Sequence, residues 1–218
     1  DMAAEWEQVH STQVTALVQR CDAVETSHIR RLALLTQGGH LTSGVWHAAG
    51  VLEDGLLPKQ TTTTLARVYA PKSHGAWTIQ CTCAAMPLES CALFSSVSTL
   101  LGGAGQANYC AANACLDTLT SYRRTSAEVA VSVQWGAWAE VGMAARGAAS
   151  ERMAAMEAAI GFGRINVAQG LAATHGAVSP RAPSLLAMMP VQWHRVLGGG
   201  GEVPAFLSEM APRVAAAS

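Results

Sequence analysis

The protein has 218 residues, of which 50% are hydrophobic and 13% are charged, and its formal net charge is −1. This balance argues against the clustered basic face of a nucleic-acid-binding protein and against a polybasic membrane-surface protein. The apolar fraction is too high for a disordered chain, and no apolar stretch reaches the roughly 18 residues of a membrane-spanning helix. The composition therefore predicts a globular domain with a buried core and with neither a nucleic acid nor a membrane as partner.

The N-terminus and the cysteines indicate the cellular setting. The chain begins at Asp1 without an initiating methionine, basic start or apolar run of a secretory signal. We therefore expect a cytoplasmic protein and a piece of a longer polypeptide. The cysteines lie in apolar segments, which predicts reduced, buried thiols. They are Cys21, Cys81, Cys83, Cys91, Cys110 and Cys115. The Cys81–Cys83 pair lacks a second cysteine pair or histidine pair at ligand spacing, so we interpret it as packing rather than a metal site.

The first predicted elements are a strand and a helix. Residues 14–18 form a β-branched, apolar run that is typical of a strand buried on both faces of a parallel sheet. Farther along, Thr26 or Ser27 is suited to cap a helix whose apolar face runs through residues 29–35. The glycine pair at 38–39 ends that helix.

Further strands and helices alternate along the chain. The predicted strands are residues 44–47, 91–95, 129–133 and 184–188, and the predicted helices are residues 61–77, 108–124 and 151–160. Pro71 is expected to kink or bound the first of these helices. Residues 198–201 are four glycines with no lysine after them, which indicates a linker rather than a phosphate-binding loop.

This alternation predicts an α/β fold with a parallel sheet and right-handed crossovers. In such a sheet, ligands bind beyond the carboxyl ends of the strands. The predicted strand ends at this edge are Asp22, His47 to Gly50, Ser95 with Ser96, and Trp135 with Gly136. We therefore expect the binding site there.

Four residues between positions 72 and 113 point to proton transfer. Ser96 ends a predicted strand, Tyr109 follows 13 residues later near the start of a helix, and Asn113 shares the helical face of Tyr109. A hydroxyl and a phenol are suited to bind and protonate a carbonyl oxygen, but a phenol with a pKa near 10 needs a cation beside it. Lys72 is placed to supply that charge. Singly, these residues are typical of a strand-end cap, a packed tyrosine and a surface lysine; together they indicate a catalytic site.

The segment FSSVSTLLGGAGQANYCAAN at residues 94–113 is similar to the catalytic stretch of ketoreductase domains of type I modular polyketide synthases, which belong to the short-chain dehydrogenase/reductase superfamily. The similarity includes VWHAAGVLEDG at 45–55, APK at 70–72, and WGAW at 135–138 followed by Gly142 and Met143, and it covers approximately residues 14–210. Most of the superfamily has a lysine four residues after the tyrosine. Here that position is Asn113 and the lysine is Lys72, an exchange characteristic of polyketide and related fatty-acid synthase ketoreductases.

The resemblance implies a Rossmann-like doubly wound parallel sheet whose first βαβ unit is absent from these residues. Residues 1–197 correspond to a partial ketoreductase catalytic domain and residues 198–218 to a glycine-rich linker and C-terminal tail. The absent unit would carry the glycine-rich loop that holds the pyrophosphate, the residue that reads the 2′-phosphate and a central part of the sheet. We therefore expect this chain alone to bind NADPH weakly and to aggregate.

The resemblance also implies roles for the four residues. Tyr109 would protonate the ketone oxygen and Ser96 would donate a hydrogen bond to it. Lys72 would bind the nicotinamide ribose and lower the tyrosine pKa, and Asn113 would order the proton relay. The implied reaction is the NADPH-dependent reduction of the β-keto group of an acyl chain tethered to an acyl carrier protein, beside the other domains of a polyketide synthase.

Further residues are assigned to the cofactor. Asp22 matches an aspartate that contacts adenine and is equally typical of a helix-entry cap. Small side chains after the strand at 44–47 would let the backbone approach the cofactor. The full cofactor-binding set is Asp22, His47, Ala48, Ala49, Gly50 and Ser95.

The stereochemical prediction rests on Leu52-Glu53-Asp54, which resembles the Leu-Asp-Asp signature of ketoreductases that give a D-configured alcohol. Asp54 takes the more diagnostic position, and Glu53 is a departure. A tryptophan eight residues before Tyr109 marks the opposite class, and Leu101 lies there instead. We predict a D product; the alternative is a solvated turn. The residues assigned to substrate and stereocontrol are Asp54, Leu101, Gln106, Trp135 and Met143.

Two other functions remain open. The first is a free-standing reductase of the same superfamily with a soluble substrate, which the Asn113 and Lys72 arrangement disfavours. The second is a non-catalytic scaffold remnant within a multienzyme synthase. The absent cofactor loop favours it, whereas the complete set of four catalytic residues opposes it.

Overall fold

The structure, a computed structural model, describes residues 7, 9, 11–12, 14–36, 42–142, 161–179, 181–199 and 201–211. Its strands are β1 (Gly44–His47), β2 (Ser90–Ser96), β3 (Val131–Trp135) and β4 (Leu185–Met188). Its helices are α1 (Thr26–Thr36), α2 (Thr62–Tyr69), α3 (Gly75–Cys83), α4 (Ser98–Leu101), α5 (Ala107–Thr125), α6 (Val167–Ala177) and α7 (Trp193–Val196). A π-helical segment (Ala70–His74) joins α2 to α3, and 3-10 turns cover Leu57–Lys59 and Ala205–Met210.

The four strands form one parallel sheet in the order β1-β2-β3-β4, which confirms the predicted α/β fold. The register aligns Gly44 with Ser90, Ala92 with Val131, and Ser132 with Leu185. Because all strands run the same way, the ends of β1, β2 and β3 meet at one edge. The segments that carry the predicted site residues continue from that edge.

Helices cover both faces of the sheet. On one face, Leu93 of β2 packs with Ala76 of α3 and Leu116 of α5. On the other face, Val133 of β3 packs with Ala173 of α6. Each connection moves one strand along the sheet in the same direction, but α6 lies on the face opposite to α3 and α5. The crossover from β3 to β4 therefore has the hand opposite to that of the crossovers from β1 to β2 and from β2 to β3. The expectation of uniformly right-handed crossovers is therefore wrong for this last connection.

The strand predicted at residues 14–18 is also wrong. This segment is described without a strand partner, and Val14, Leu17 and Val18 are 59%, 61% and 69% exposed. A strand needs backbone partners on a neighbouring strand, and no described strand runs beside this one. Its apolar pattern alone does not bring it into the sheet.

The helix predicted at residues 61–77 is longer and less regular than expected. It runs from α2 through the π-helical segment into α3 and ends at Cys83. In a continuous α-helix, the ring of Pro71 would clash with the carbonyl of Arg67. The chain accommodates the proline by widening one turn rather than by ending the helix.

Several smaller expectations have separate outcomes. The predicted strand at 129–133 lies two residues later, and the predicted helix at 151–160 falls outside the described residues. All six cysteines are free thiols; Cys83 and Cys91 are buried as expected, but Cys21 and Cys81 are exposed. Within the ranges that the structure describes, no helix has the length and apolar character to cross a bilayer. After the glycine run, Leu207 is buried in the second 3-10 turn.

Candidate active site

Helix α5 carries two of the predicted catalytic residues. It begins directly after a glycine-rich loop in which Gly102 and Gly105 have φ values of 77° and 72°, a conformation that side chains with a Cβ rarely adopt. Its buried residues recur at helical spacing and include Tyr109, Asn113 and Leu116. The same periodicity that packs the helix against the sheet therefore turns the phenol and the amide toward the end of β2.

Lys72 lies in the π-helical segment and is only 3% exposed. Its ammonium donates a hydrogen bond of 2.6 Å to the carbonyl oxygen of Phe94 on β2. The Nζ atom also lies 5.8 Å from the centre of the Tyr109 ring. The structure thus brings together a lysine and a tyrosine that are 37 positions apart in the sequence. Single wide turns of this kind are frequent at functional sites.

Ser96 is the last residue of β2 and completes the group. Its Oγ accepts a hydrogen bond of 3.2 Å from the backbone N–H of Ser98. This bond uses an acceptor position of the hydroxyl and leaves its proton available for donation. The side chain lies beside the Tyr109 phenol and contributes to the pKa of that group. Ser96 and Tyr109 can therefore address one carbonyl oxygen.

The pKa of Tyr109 is raised, which is opposite to the direction that the sequence predicts. Burial is the main cause, and the side chains of Asn113 and Ser96 oppose it. Burial also lowers the pKa of Lys72 to about 8, with the Asp117 carboxylate acting in the other direction. Burial disfavours the charged form of both groups, so the net pKa shift of Tyr109 is upward, and the lowering by Lys72 that the resemblance implies stays a prediction.

Asn113 is completely buried and uses only half of its amide. Its Nδ2 donates to the carbonyl oxygen of Tyr109 at 2.9 Å, one helical turn earlier. Its Oδ1 has no hydrogen-bond partner among the described residues. A buried acceptor without a partner is costly, so this atom is suited to receive a hydrogen bond from a bound molecule at the site.

Asp117 is a site residue that the sequence reasoning missed. It follows Asn113 by four residues on α5, and its carboxylate accepts hydrogen bonds from Ser132 at 2.6 Å and Gln134 at 2.8 Å. These bonds fix a negative charge on the helix that carries Tyr109, and this charge favours the protonated form of Lys72. The spacing from Tyr109 to Asn113 to Asp117 was a signal that could have found it.

Two of the residues assigned to stereochemical control, Asp54 and Gln106, lie together beside α5. Gln106 Nε2 lies 3.4 Å from both carboxylate oxygens of the exposed Asp54. Asn108 Nδ2 donates to the Glu53 carbonyl at 2.8 Å, while its Oδ1 accepts from the Tyr109 N–H at 2.8 Å. The loop that carries Asp54 is therefore hydrogen-bonded to the start of α5.

The remaining predicted site residues differ in where they lie. Trp135 is buried in the opposite face of the sheet, where its ring packs on Phe94 and Trp138. Ser95 is buried, and its hydroxyl lies 3.4 Å from the Asn113 carbonyl oxygen. Leu101 is half-buried at the end of α4, and Met143 falls outside the described residues.

The residues after β1 divide into two groups. Ala48 and Ala49 are exposed at the carboxyl end of the strand, where their small side chains leave the backbone open to a ligand. His47 is buried and faces Lys72, with its Nε2 at 3.3 Å from the Lys72 carbonyl oxygen. Gly50 also lies against Lys72. Only the two alanines therefore have the openness expected of a cofactor-binding backbone.

Asp22 lies before α1 and is exposed. Its Oδ1 accepts a hydrogen bond of 3.0 Å from the backbone N–H of Val24, and its own N–H donates to His28. A carboxylate that bonds two residues ahead makes a turn of the Asx type. The local role of this residue thus matches the helix-entry alternative, and its outer carboxylate face remains open to solvent.

The site fits the nicotinamide end of a dinucleotide. Lys72 supplies a cation, Asn113 Oδ1 supplies a buried acceptor without a partner, and the exposed backbone at Ala48 and Ala49 lies at the same edge of the sheet. Ribose hydroxyls both donate and accept hydrogen bonds, so this donor and acceptor set suits them.

Comparison with known proteins identifies the family. A family model described as "KR domain" matches residues 1–140. The spectinabilin polyketide synthase system protein NorB of Streptomyces orinoci is 35% identical over 196 residues, which are 88% of this chain and 9% of that protein. Polyketide synthase GfsB of Streptomyces halstedii is 46% identical over 134 residues, which are 61% of this chain and 2% of that protein.

Solved structures agree with these relatives. The ketoreductase from the first module of phoslactomycin biosynthesis in Streptomyces sp. HK803 has a TM-score of 0.82 and 31% identity, covering 96% of this chain and 48% of that one. The first ketoreductase of the tylosin polyketide synthase has a TM-score of 0.77 and 28% identity, covering 88% of this chain and 40% of that one.

The chain is much shorter than the proteins that it matches. It spans less than a tenth of the two curated relatives described above and less than half of the two solved ketoreductase chains. The relatives are named as polyketide synthases, and the structural neighbours as ketoreductases of polyketide biosynthesis. The chain belongs to the KR domain family, the ketoreductase domains of polyketide synthases.

Proposed function

We propose that the protein reduces the β-keto group of an acyl chain, carried as a thioester on an acyl carrier protein, to a β-hydroxyl group with NADPH. The observation that carries this proposal is the convergence of Lys72, Ser96, Tyr109 and Asn113 at the carboxyl end of β2. The reaction would take place in the cytoplasm, within a larger polyketide synthase. Residues 1–197 would form the catalytic part, and residues 198–218 would form a linker and tail.

Each residue has a distinct part in the proton transfer. The raised pKa of Tyr109 keeps its phenol protonated at neutral pH, which is the form that donates a proton to the ketone oxygen. Ser96 donates a hydrogen bond to the same oxygen and stabilises the negative charge that develops there. Bound NADPH would supply the hydride for the carbonyl carbon, so that the ketone gains a hydride and a proton and becomes an alcohol.

Lys72 and Asn113 would act after the proton leaves Tyr109. The Lys72 ammonium lies near the ring and would stabilise the phenolate that remains. Asn113 Oδ1 is a buried acceptor without a partner, one helical turn after Tyr109, and would order the hydrogen bonds that return a proton. Ala48 and Ala49 would leave room for the cofactor at the end of β1.

An assay with a β-ketoacyl thioester tests this function. Loss of NADPH absorbance is measured for the full-length ketoreductase domain that contains these residues, for its Tyr109→Phe variant and for the matched control Tyr122→Phe, an exposed tyrosine on the same helix. We expect Tyr109→Phe to lose at least about 100-fold in kcat, since it removes the proton donor, and Tyr122→Phe to retain activity. If the full-length domain shows no turnover and Tyr109→Phe behaves identically, the scaffold alternative is favoured. Parallel assays with NADH and with a carrier-bound substrate test the cofactor and the partner.

We further propose a D-configured product, supported by the contact between Asp54 and Gln106 at the start of α5. Chiral chromatography of the alcohol tests this, and the D isomer should predominate. Asp54→Ala should reduce the excess of the D isomer. It should leave the stability of the protein nearly unchanged, because the side chain is exposed. A predominantly L product from the unchanged protein would contradict the proposal.

A further inference from the structure

His47 faces the helical layer of the protein. It is the last residue of β1, and its register partner on β2 is Leu93. Leu93 belongs to the core between the sheet and helices α3 and α5, and His47 lies on the same face of the sheet. Its side chain is 4% exposed. The histidine is thus directed toward the π-helical segment.

The His47 ring holds the backbone of that segment. Its Nε2 lies 3.3 Å from the carbonyl oxygen of Lys72. A carbonyl oxygen can only accept a hydrogen bond, so Nε2 carries the hydrogen and donates it. Burial lowers the pKa of His47, and the bonds to the Lys72 and Pro71 carbonyls only partly oppose this shift. The neutral ring with its hydrogen on Nε2 is therefore the form that fits the site.

Gly50 makes room for the side chain of the same lysine. A Cβ placed on Gly50 would lie 2.5 Å from Cε and 3.2 Å from Nζ of Lys72. Cβ atoms do not approach other atoms to 2.5 Å, so any side chain at position 50 would displace the lysine.

We propose that His47 and Gly50 are positioning residues for Lys72: His47 fixes the backbone of the wide helical turn, and Gly50 leaves the path that the lysine side chain takes to the Phe94 carbonyl. This inference rests on the proposed function only in taking Lys72 as the catalytic lysine. In this proposal, the segment at the end of β1 positions Lys72 in addition to contacting the cofactor. Without these two contacts, the ammonium would leave its place 5.8 Å from the Tyr109 ring.

The lysine content of the chain permits a direct test. The sequence contains two lysines, the buried Lys72 and the exposed Lys59. Selective ¹³C labelling of lysine therefore gives two Cε signals by NMR, and Lys59 serves as an internal control. A pH titration of the Lys72 signal should give a midpoint near 8 in the unchanged protein. The measurement requires no turnover.

Two variants of equal side-chain length separate the hydrogen bond from packing. His47→Gln keeps an N–H donor near the Nε2 position, whereas His47→Met keeps the length and removes the donor. We expect the Met variant to raise the Lys72 midpoint toward the ordinary lysine value by about one pH unit or more, because the released ammonium gains solvent. The Gln variant should restore the original midpoint, and the Lys59 signal should stay unchanged in both.

Further variants allow the test to proceed if His47→Met does not fold. His47→Asn has an amide too short to reach the Lys72 carbonyl and should behave like the Met variant. Gly50→Ala should move the Lys72 signal, whereas Gly176→Ala, where a Cβ meets no atom within 4 Å, should not. An unchanged Lys72 signal in His47→Met, His47→Asn and Gly50→Ala would overturn the proposal. The NMR titration tests the positioning of Lys72, and the reductase assay tests the proposed function. Because the two measurements are independent, a failure of one proposal can be distinguished from a failure of the other.

Discussion

Lys72 carries its positive charge in the protein interior, so removal of that charge should stabilise the fold at neutral pH. Its pKa is about 8 against an ordinary value of 10.5. At about 1.4 kcal/mol for each pH unit, this difference corresponds to about 3 kcal/mol of unfavourable free energy at neutral pH. Lys72→Met removes this cost but leaves the Phe94 carbonyl without its donor, a loss of about 1 kcal/mol. We expect a net gain of about 2 kcal/mol in the free energy of unfolding.

The same reasoning fixes the pH dependence. The folded pKa lies below the unfolded value, so the unfolded chain binds more protons between pH 8 and 10.5, and the stability of the unchanged protein rises with pH across that window. The advantage of Lys72→Met should therefore shrink by about 2 kcal/mol between neutral pH and about pH 9.5. Titrating groups that do not interact with Lys72 contribute equally to both proteins and cancel in the difference.

Urea unfolding followed by the fluorescence of the six tryptophans measures this effect at both pH values. Lys59→Met is the matched control, because Lys59 is exposed and its replacement should change stability by no more than about 0.5 kcal/mol. If Lys72→Met is no more stable than the unchanged protein at neutral pH, or if its advantage does not change with pH, the charge of Lys72 is not the cost inferred here.

Two further predictions follow from Asp117 and from α6. Asp117→Asn removes the charge that raises the Lys72 pKa. In a profile of kcat/KM against pH, the loss of reductase activity at alkaline pH should therefore begin at a lower pH. An unshifted profile would contradict the role given to Asp117. Gly170→Ala should lower the free energy of unfolding by about 1–3 kcal/mol, because its methyl group would overlap the Trp138 ring. A methyl group at Gly176 on the same helix meets no atom within 4 Å, so Gly176→Ala should raise the free energy of unfolding by up to about 1 kcal/mol. The same urea unfolding measures both variants. Equal effects of the two would show that the contact with the Trp138 ring is unimportant.

The central site was predictable because its information is local. Tyr109 and Asn113 are one helical turn apart, so helical periodicity alone puts them on one face. Ser96 ends an apolar run that only a buried strand explains, and parallel strands end at one edge. Asp117 was also within reach of this argument, since it continues the same face one turn later.

Contacts between distant segments were not predictable in this way. The sequence places Trp135 and His47 at strand ends but does not say which face of the sheet receives each ring. Pairing register decides that, and a shift of one residue would reverse it. Trp135 lies in the core against α6, while His47 lies against the π-helical turn.

The amino-acid pattern by itself determined the parallel α/β architecture and the grouping of Ser96, Tyr109 and Asn113, because both follow from periodicity and spacing along the chain. Only the tertiary structure decided the exposure of residues 14–18, the wide turn around Lys72 and the direction of the pKa shifts of Lys72 and Tyr109. These properties depend on which surfaces exclude water from a group. Exclusion of water is produced by residues far away in the sequence, so no local pattern records it.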